Sequence, residues 1–526
     1  MSRLLSSLGG FGLRRASVSK AWYDHVVVGA GAAGSVIASR LAAKGAKVLL
    51  LEASPLEFGT PSSSTWCSSL WGGEVPRHQA VSVAAGAGRD VVWSRGRNSD
   101  YDAWDCMAGG DTLWCHAGVA ERLAAGERRL AAAGQGSAQR PPPDAFSEAF
   151  LRACTEFGFA EDVGLDVGQR ARGVGYFHRV VGGSIGWAQA KYLQPAMLAS
   201  GADGQQLEVR TDLAALRVCV EGGRAVGVEW QDGEVRAGEV VLCAGVVGSP
   251  ELLLKSGIGP KSELEALGIN VIKDLPGVGK NYQDRLQILL NSDGSVGRPP
   301  VPVTTGSWAE PLVALLGGSA TSGEQLVAGG FMASEASLSD DPDLFLTLLG
   351  PEVGLAVGLA KPRTRGHLQL RQGEAALTAR VRFDGLADSS DRAILRRGVV
   401  RARRLLRAAA GGSDSGLVDD DFLDDAESTE FLRHSCMLAR HAVGTCAMGS
   451  SPASVVDGQL RVHGVPGLRV ADASVMPFLV AADPYGSVIA IAETASKLLG
   501  QDMASYHRSQ YGVPPVDVGV GSVLQV

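Results

Sequence analysis

Three glycines and one acid make the most specific chemical pattern in the chain. Gly29, Gly31 and Gly34 form G-x-G-x-x-G, and Glu52 follows Gly34 by 18 residues. That spacing suits an adenine dinucleotide. Gly29 allows a tight turn. Gly31, with no side chain, lets a pyrophosphate approach the backbone, and Gly34 lets a helix pack closely on a strand. The N-terminal N–H groups and partial positive charge of that helix favour phosphate. Glu52 can accept hydrogen bonds from both ribose hydroxyls, and its carboxylate repels a 2′-phosphate. The motif serves FAD and NAD alike.

The elements that must position these residues are legible around them. His25 to Val28 predict a buried parallel strand, Ser35 to Ala43 a helix, and Lys47 to Leu51 a second apolar strand that ends at Glu52. Arg122 to Ala133 is amphipathic. Phe146 to Phe157 has helical apolar spacing, and Lys191 to Met197 a short helical pattern. Alternating strands follow at Leu207 to Arg210, Ala215 to Val220, Ala225 to Trp230 and Val235 to Leu242. Gly245 to Gly259 predicts a strand, a tight turn and a short helix. Five β-like runs come next: Gln287 to Leu290, Gln325 to Phe331, Leu344 to Leu349, His367 to Leu370 and Thr378 to Phe383. A basic helix, Arg392 to Ala409, precedes an acidic loop, Asp419 to Glu427. The basic face is expected to be solvated or paired with that loop.

Composition bounds the class. At 526 residues the chain exceeds one ordinary core and calls for two domains. A hydrophobic fraction of 45% and a charged fraction of 20% are those of a soluble globular protein. A net charge of −7 argues against nucleic acid as a partner, and no apolar run is long enough to span a bilayer. Eight scattered cysteines without C-x-x-C argue against a metal site or a disulfide scaffold and for isolated thiols in a reducing compartment. Met1 to Trp22 carries Arg3, Arg14, Arg15 and Lys20, several serines and no acid. It resembles a mitochondrial transit peptide, with a chloroplast or cytoplasmic location as alternatives and a disordered tail or a mis-assigned start as the plainer account.

With these residues in view, the chain resembles the glucose-methanol-choline (GMC) oxidoreductases, choline dehydrogenase-like FAD enzymes that oxidise alcohols. The resemblance spans most of residues 23–500. Its carriers are the Tyr23–Glu52 unit, Gly245 to Gly259, Leu275 to Asp284, His441 to Gly449, and Val456 to Ser474. It implies an α/β fold, with a Rossmann-like FAD-binding domain assembled from 23–115, 201–285 and 434–505. A second α+β substrate domain on an antiparallel sheet would cover 286–433, with 116–200 as substrate or cap elements and 506–526 as a tail. The implied cofactor is FAD, held by Gly29, Gly31, Ala32, Gly34, Glu52, Ala215, Gly245, Asp472 and Ala473. The implied partners are a small-molecule alcohol substrate and an electron acceptor, oxygen or a quinone.

Alcohol oxidation removes a proton from oxygen and a hydride from carbon. The resemblance gives the hydride to the flavin N5 and the proton to the imidazole of His441, histidine being the commonest general base. His434, about two helical turns earlier, is the weaker candidate. Asp472 would bond the ribityl-phosphate end of the flavin. Asp483 stands where the family has a second His or Asn. Its carboxylate would favour imidazolium at His441, orient the ring, or act as the base itself; the plain alternative is an N-cap before Pro484.

Three further departures from the family pattern are visible. Val83 to Arg89 lacks the R-G-K-x-L-G-G-S-S-x-x-N that usually precedes the flavin ring, Arg285 replaces a usual histidine, and Val246 a usual small residue. A catalytically impaired flavin-binding relative is one alternative reading. Another is a flavoenzyme like the algal fatty acid photodecarboxylase, which Asp100 to Trp104 and Val455 to Val465 resemble. That branch has a cysteine before Arg-Pro where this chain has Ala360-Lys361-Pro362. No cysteine lies between Cys243 and Cys436, which favours a dehydrogenase or oxidase.

Overall fold

The computed structural model describes residues 17–54, 56, 91–93, 96–131, 138–139, 144–161, 173–176, 178–180, 188–200, 206–296, 328–334, 342–350, 354–373, 377–412 and 425–511. The stretch Val83 to Arg89, the start of the acidic loop and the first 16 residues lie outside them.

The glycine turn sits at the end of the first strand, Ser17–Val28. That strand pairs in parallel with Val48–Leu51 on one side and Gly233–Leu242 on the other. Leu207–Arg210 adds beyond Val48–Leu51, and Leu468–Val470 beyond Gly233–Leu242, both in parallel. Val26 to Val28 and Val48 to Leu51 are all buried. Unbroken apolar runs of this kind belong to a parallel sheet covered on both faces. Helices Ala32–Ala43 and Pro484–Tyr511 pack together against it. The early half of Gly233–Leu242 also heads an antiparallel meander with Arg224–Trp230 and Ala215–Glu221.

Two expectations change here. The sheet starts earlier than His25, because Ser17 pairs with Gly233 and Trp22 with Arg236, so residues 17–22 belong to the fold rather than to the leading segment. Gly245 to Gly259 does not begin as a strand: helix Gly245–Lys255 starts three residues after Leu242, turned by Gly245 at φ +79°.

A second sheet of seven strands runs in the order Cys436–Leu438, Leu286–Leu290, Gly354–Leu359, Leu344–Gly350, Ala328–Met332, Gly173–Tyr176 and Ala160–Glu161. Every pair is antiparallel except the last. Helix Ser389–Ala409 covers one face, burying Leu395, Val399 and Leu405 with Leu346 and Val357 of the sheet. Two of its arginines reach backbone carbonyls of neighbouring segments, and the start of the acidic loop expected to pair with this face lies outside the described residues. Arg401 donates to the Ala333 carbonyl at 2.5 Å and Arg403 to Gly294 at 3.1 Å. The hairpin His367–Gln372 and Leu377–Arg382 lies apart from the seven strands. Its Leu368, Leu370, Ala379 and Val381 join the core of the first sheet.

Seven free cysteines occur among the described residues, and four of them are buried. No helix among those residues is long and apolar enough to cross a membrane.

Arg469 ties the last helix to the parallel sheet. It is 1% exposed and donates Nε to Glu239 at 2.7 Å, Nη1 to the Gln459 carbonyl at 2.6 Å, and Nη2 to Asp502. Removing one partner of a buried pair leaves the other poorly compensated. Arg469→Met is expected to lower stability by about 3 kcal/mol in denaturant unfolding; a change below about 0.5 kcal/mol would show that solvent already screens the pair.

Candidate active site

Two of the motif glycines answer to the protein itself. A Cβ on Gly29, at φ +104°, would lie 2.5 Å from the Cys243 carbonyl oxygen, and one on Gly34 would lie 1.9 Å from the Gly29 oxygen. Gly31 differs: a Cβ there would meet nothing within 4 Å among the described residues. Gly31 is also the N-cap of helix Ala32–Ala43, and no side chain among the described residues caps that end. An uncapped helix N-terminus beside open space is a ready anion site. Glu52 closes one side of the turn, accepting from the Ala30 N–H at 2.6 Å and the Ser54 N–H at 3.0 Å. The Glu52 carbonyl accepts from Leu213 N–H at 3.0 Å, which brings Ala215, at the head of the meander, close behind it.

The buried Asp472 joins the last parallel strand to the Gly245 helix. One carboxylate oxygen accepts from the Gly245 N–H at 2.8 Å and Ser249 Oγ at 2.5 Å, the other from Ser474 N–H at 2.8 Å. Burial pushes its carboxyl up, against the pull of these donors. Like Gly31, Gly245 is open, with no atom of the described residues within 4 Å of a Cβ. Pro250 lies inside the helix and has no N–H for the Val246 carbonyl one turn back. Thr445 Oγ1 supplies the missing donor at 2.6 Å, so the His441 segment docks on the Gly245 helix through a defect in it.

His441 and Asp483 meet. Their Nε2 and Oδ2 atoms are 3.1 Å apart, with each side chain 20% exposed. Asp483 also accepts from the Tyr485 N–H at 2.9 Å, so it is an N-cap for helix Pro484–Tyr511 and the partner of His441 at once. Burial opposes charge on Asp483, but His441, the Tyr485 N–H and Arg285 together hold its carboxyl below the usual range. An ionised carboxylate that accepts a hydrogen bond from Nε2–H leaves the lone pair on Nδ1. Nδ1 is buried and has no partner among the described residues. His434 is elsewhere in character: its side chain is 68% exposed and turned to Glu430 of its own helix.

The motif Asn281 to Arg285 clamps this pair, a role that its spacing did not reveal. Asn281, at φ +58°, donates to the Pro477 carbonyl at 2.9 Å and to Gly444 at 3.3 Å. Gln283 donates to Pro477 at 3.1 Å and accepts from Leu479 N–H at 3.2 Å. Asp284 accepts from the His441 N–H at 2.8 Å, and burial raises its carboxyl. Arg285 donates to the Val480 and Ala482 carbonyls and lies 5.4 Å from the Phe345 ring. Asp100 pairs with Lys361 at 2.6 Å and accepts from the Ala481 N–H at 2.9 Å.

A row of close contacts therefore runs from the glycine turn to the imidazole. Gly29 abuts Cys243, Gly245 bonds Asp472, and Gly444 N–H donates to the Ala473 carbonyl at 3.3 Å, three residues from His441. The open positions at Gly31 and Gly245, the uncapped helix and the orphaned Nδ1 suit an extended dinucleotide with its reactive end near His441. The residues present fit FAD.

Comparison with known proteins agrees. Residues 23–287 and 362–492 match the two models of the GMC oxidoreductase family. An uncharacterized GMC-type oxidoreductase of Mycobacterium tuberculosis is 34% identical, with 90% of this chain and 99% of that protein covered. An alcohol dehydrogenase [acceptor] of Pseudomonas putida is 29% identical over 93% of this chain and 98% of its own length. An oxygen-dependent choline dehydrogenase of Pseudomonas fluorescens is 29% identical over 93% and 96%. Among solved structures, pyridoxine 4-oxidase from Mesorbium loti superposes with a TM-score of 0.69 at 25% identity, covering 90% of this chain and 98% of that one. A formate oxidase variant from Aspergillus oryzae shares the fold, with a TM-score of 0.69 at 20% identity over 92% and 99%.

Proposed function

This chain belongs to the GMC oxidoreductase family, and on that premise we propose that it is an FAD-dependent oxidoreductase that oxidises a CH–OH donor with His441 as base. The observation that carries the reading is the His441–Asp483 pair at 3.1 Å, with its unpartnered Nδ1. The turn Gly29 to Gly34, with Ala32 at the helix start, would hold the pyrophosphate. Glu52 and Ala215 would flank the adenosine ribose, and Gly245, Asp472 and Ala473 the ribityl end.

Bound FAD supplies the acceptor for the two electrons leaving the carbinol carbon. The protein's own part is to take the hydroxyl proton on His441 Nδ1 and to keep the resulting imidazolium beside Asp483, whose negative charge stabilises it. Asp483 also holds the ring in one tautomer, and Asn281 and Gln283 hold the loops that carry both groups. Relatives named for alcohol and choline support a small alcohol as donor, and an oxygen-dependent one supports oxygen as acceptor, with a quinone the alternative.

The test is direct. Purified protein supplied with FAD is expected to retain flavin absorbance and to bleach when mixed anaerobically with a donor from a panel of alcohols. Protein that retains no flavin would sink the proposal.

A further inference from the structure

Arg285 is a buried cation placed where stability alone gives little reason for one. It is 1% exposed, and its Nε and Nη1 find no acceptor among the described residues. Burying a guanidinium with unused donors is costly unless nearby carboxylates compensate it. Here three do, Asp483, Asp284 and Asp100, and Lys361 is shared through Asp100. Arg285 Nη2 donates to the carbonyls of Val480 and Ala482, and Ala482 immediately precedes Asp483. Among the described residues, two tyrosines also stand by these carboxylates: Tyr282, whose hydroxyl faces Asp284 at 3.4 Å, and Tyr485, whose N–H donates to Asp483.

We propose that Arg285 is the positioning residue of the His441–Asp483 pair: it pins the loop that presents Asp483 and offsets the carboxylate charge that would otherwise keep a proton on His441. The inference rests on His441 being the base. Arginine at 285 and aspartate at 483 then act as one unit. A carboxylate beside the imidazole orients it, and the guanidinium keeps the ring able to accept a proton at working pH. A cation removed from this cluster leaves carboxylates that favour imidazolium.

The experiment is the pH dependence of anaerobic flavin reduction in the FAD-loaded enzyme, for wild type, Arg285→Gln and Arg285→Lys. The acid limb, where His441 loses its proton, is expected to move up by about half to one pH unit in Arg285→Gln and to stay in place in Arg285→Lys whatever its rate. The same shift is read without turnover from histidine 13C resonances, with His441 assigned by the signal lost in His441→Gln. An unmoved limb with a uniform loss of rate in Arg285→Gln would overturn the proposal and leave a purely structural arginine. Should Arg285→Gln fail to load FAD, the double variant Arg285→Gln/Asp483→Asn, with both charges gone, is expected to load it; a double variant equally empty overturns the proposal too. Wild type that loads FAD but bleaches with no donor counts against the oxidoreductase reading and leaves the resonance shift to judge Arg285.

Discussion

Replacing His441 with alanine is expected to slow substrate-driven bleaching of bound FAD by about a hundred- to ten-thousand-fold, the usual worth of a positioned base. Loading of FAD should survive. The anchors of this segment are backbone groups and neighbours, the His441 N–H on Asp284 and the Thr445 hydroxyl on Val246, and neither needs the imidazole. Rapid mixing under anaerobic conditions measures the rate, and absorbance before mixing measures the loading. Asp483→Asn serves as the control for the competing assignment. Asparagine keeps an acceptor for the Tyr485 N–H and caps a helix well, so the loss should be about tenfold or less if Asp483 only orients the ring and steadies its charge. If Asp483 were the base, the order would reverse and Asp483→Asn would be the dead variant.

Much of what surrounds this pair was legible in the chain, for a physical reason. Val26 to Val28 and Val48 to Leu51 are buried at every position, so their apolar runs stand out between glycines and charges. The meander from Ala215 to Leu242 alternates and has turn residues between its strands. Gly354–Leu359 escaped notice because all six of its positions are buried, two of them glycine, and no alternation marks it. The start of the Gly245 helix escaped for a different reason. Val246 and Val247 favour a strand, and Pro250 argues against a helix, until Thr445 arrives from 199 residues away to take the freed carbonyl. A compensation of that kind leaves no local trace.

The site divides in the same way. The family resemblance placed His441 and Asp483 as candidates, and the structure brings them together. Type alone could not separate His441 from His434, because exposure decides between them and exposure is a property of the fold. The clamp by Asn281, Gln283 and Arg285 is a set of side chain to carbonyl bonds across about 160 to 200 residues of chain. The residue types there mark a motif, but bonds of that reach have no sequence period to announce their partners.

The glycine turn offers the sharpest separation of fold from cofactor. Gly34→Ala should damage the protein before any ligand is involved, since its Cβ would sit 1.9 Å from the Gly29 oxygen, backbone against backbone. Helix and strand must part, at a cost of about 3 kcal/mol or more, visible as a lowered melting temperature or insoluble protein in the absence of FAD. Gly31→Ala should do nearly the opposite. Gly31 has φ −65°, a value any residue adopts, and a Cβ there would meet nothing within 4 Å among the described residues. The apo protein should therefore melt within a few degrees of wild type. The methyl group would instead occupy the space above the uncapped helix end, where a pyrophosphate must come close enough to accept from the backbone. Losing one or two charge-assisted hydrogen bonds of that kind is worth about 2 to 3 kcal/mol, or about 30- to 150-fold in Kd, read by fluorescence titration with FAD. If Gly31→Ala bound FAD as tightly as wild type, the pyrophosphate could not lie over Gly31, and the cofactor's path from the turn to His441 would have to be redrawn.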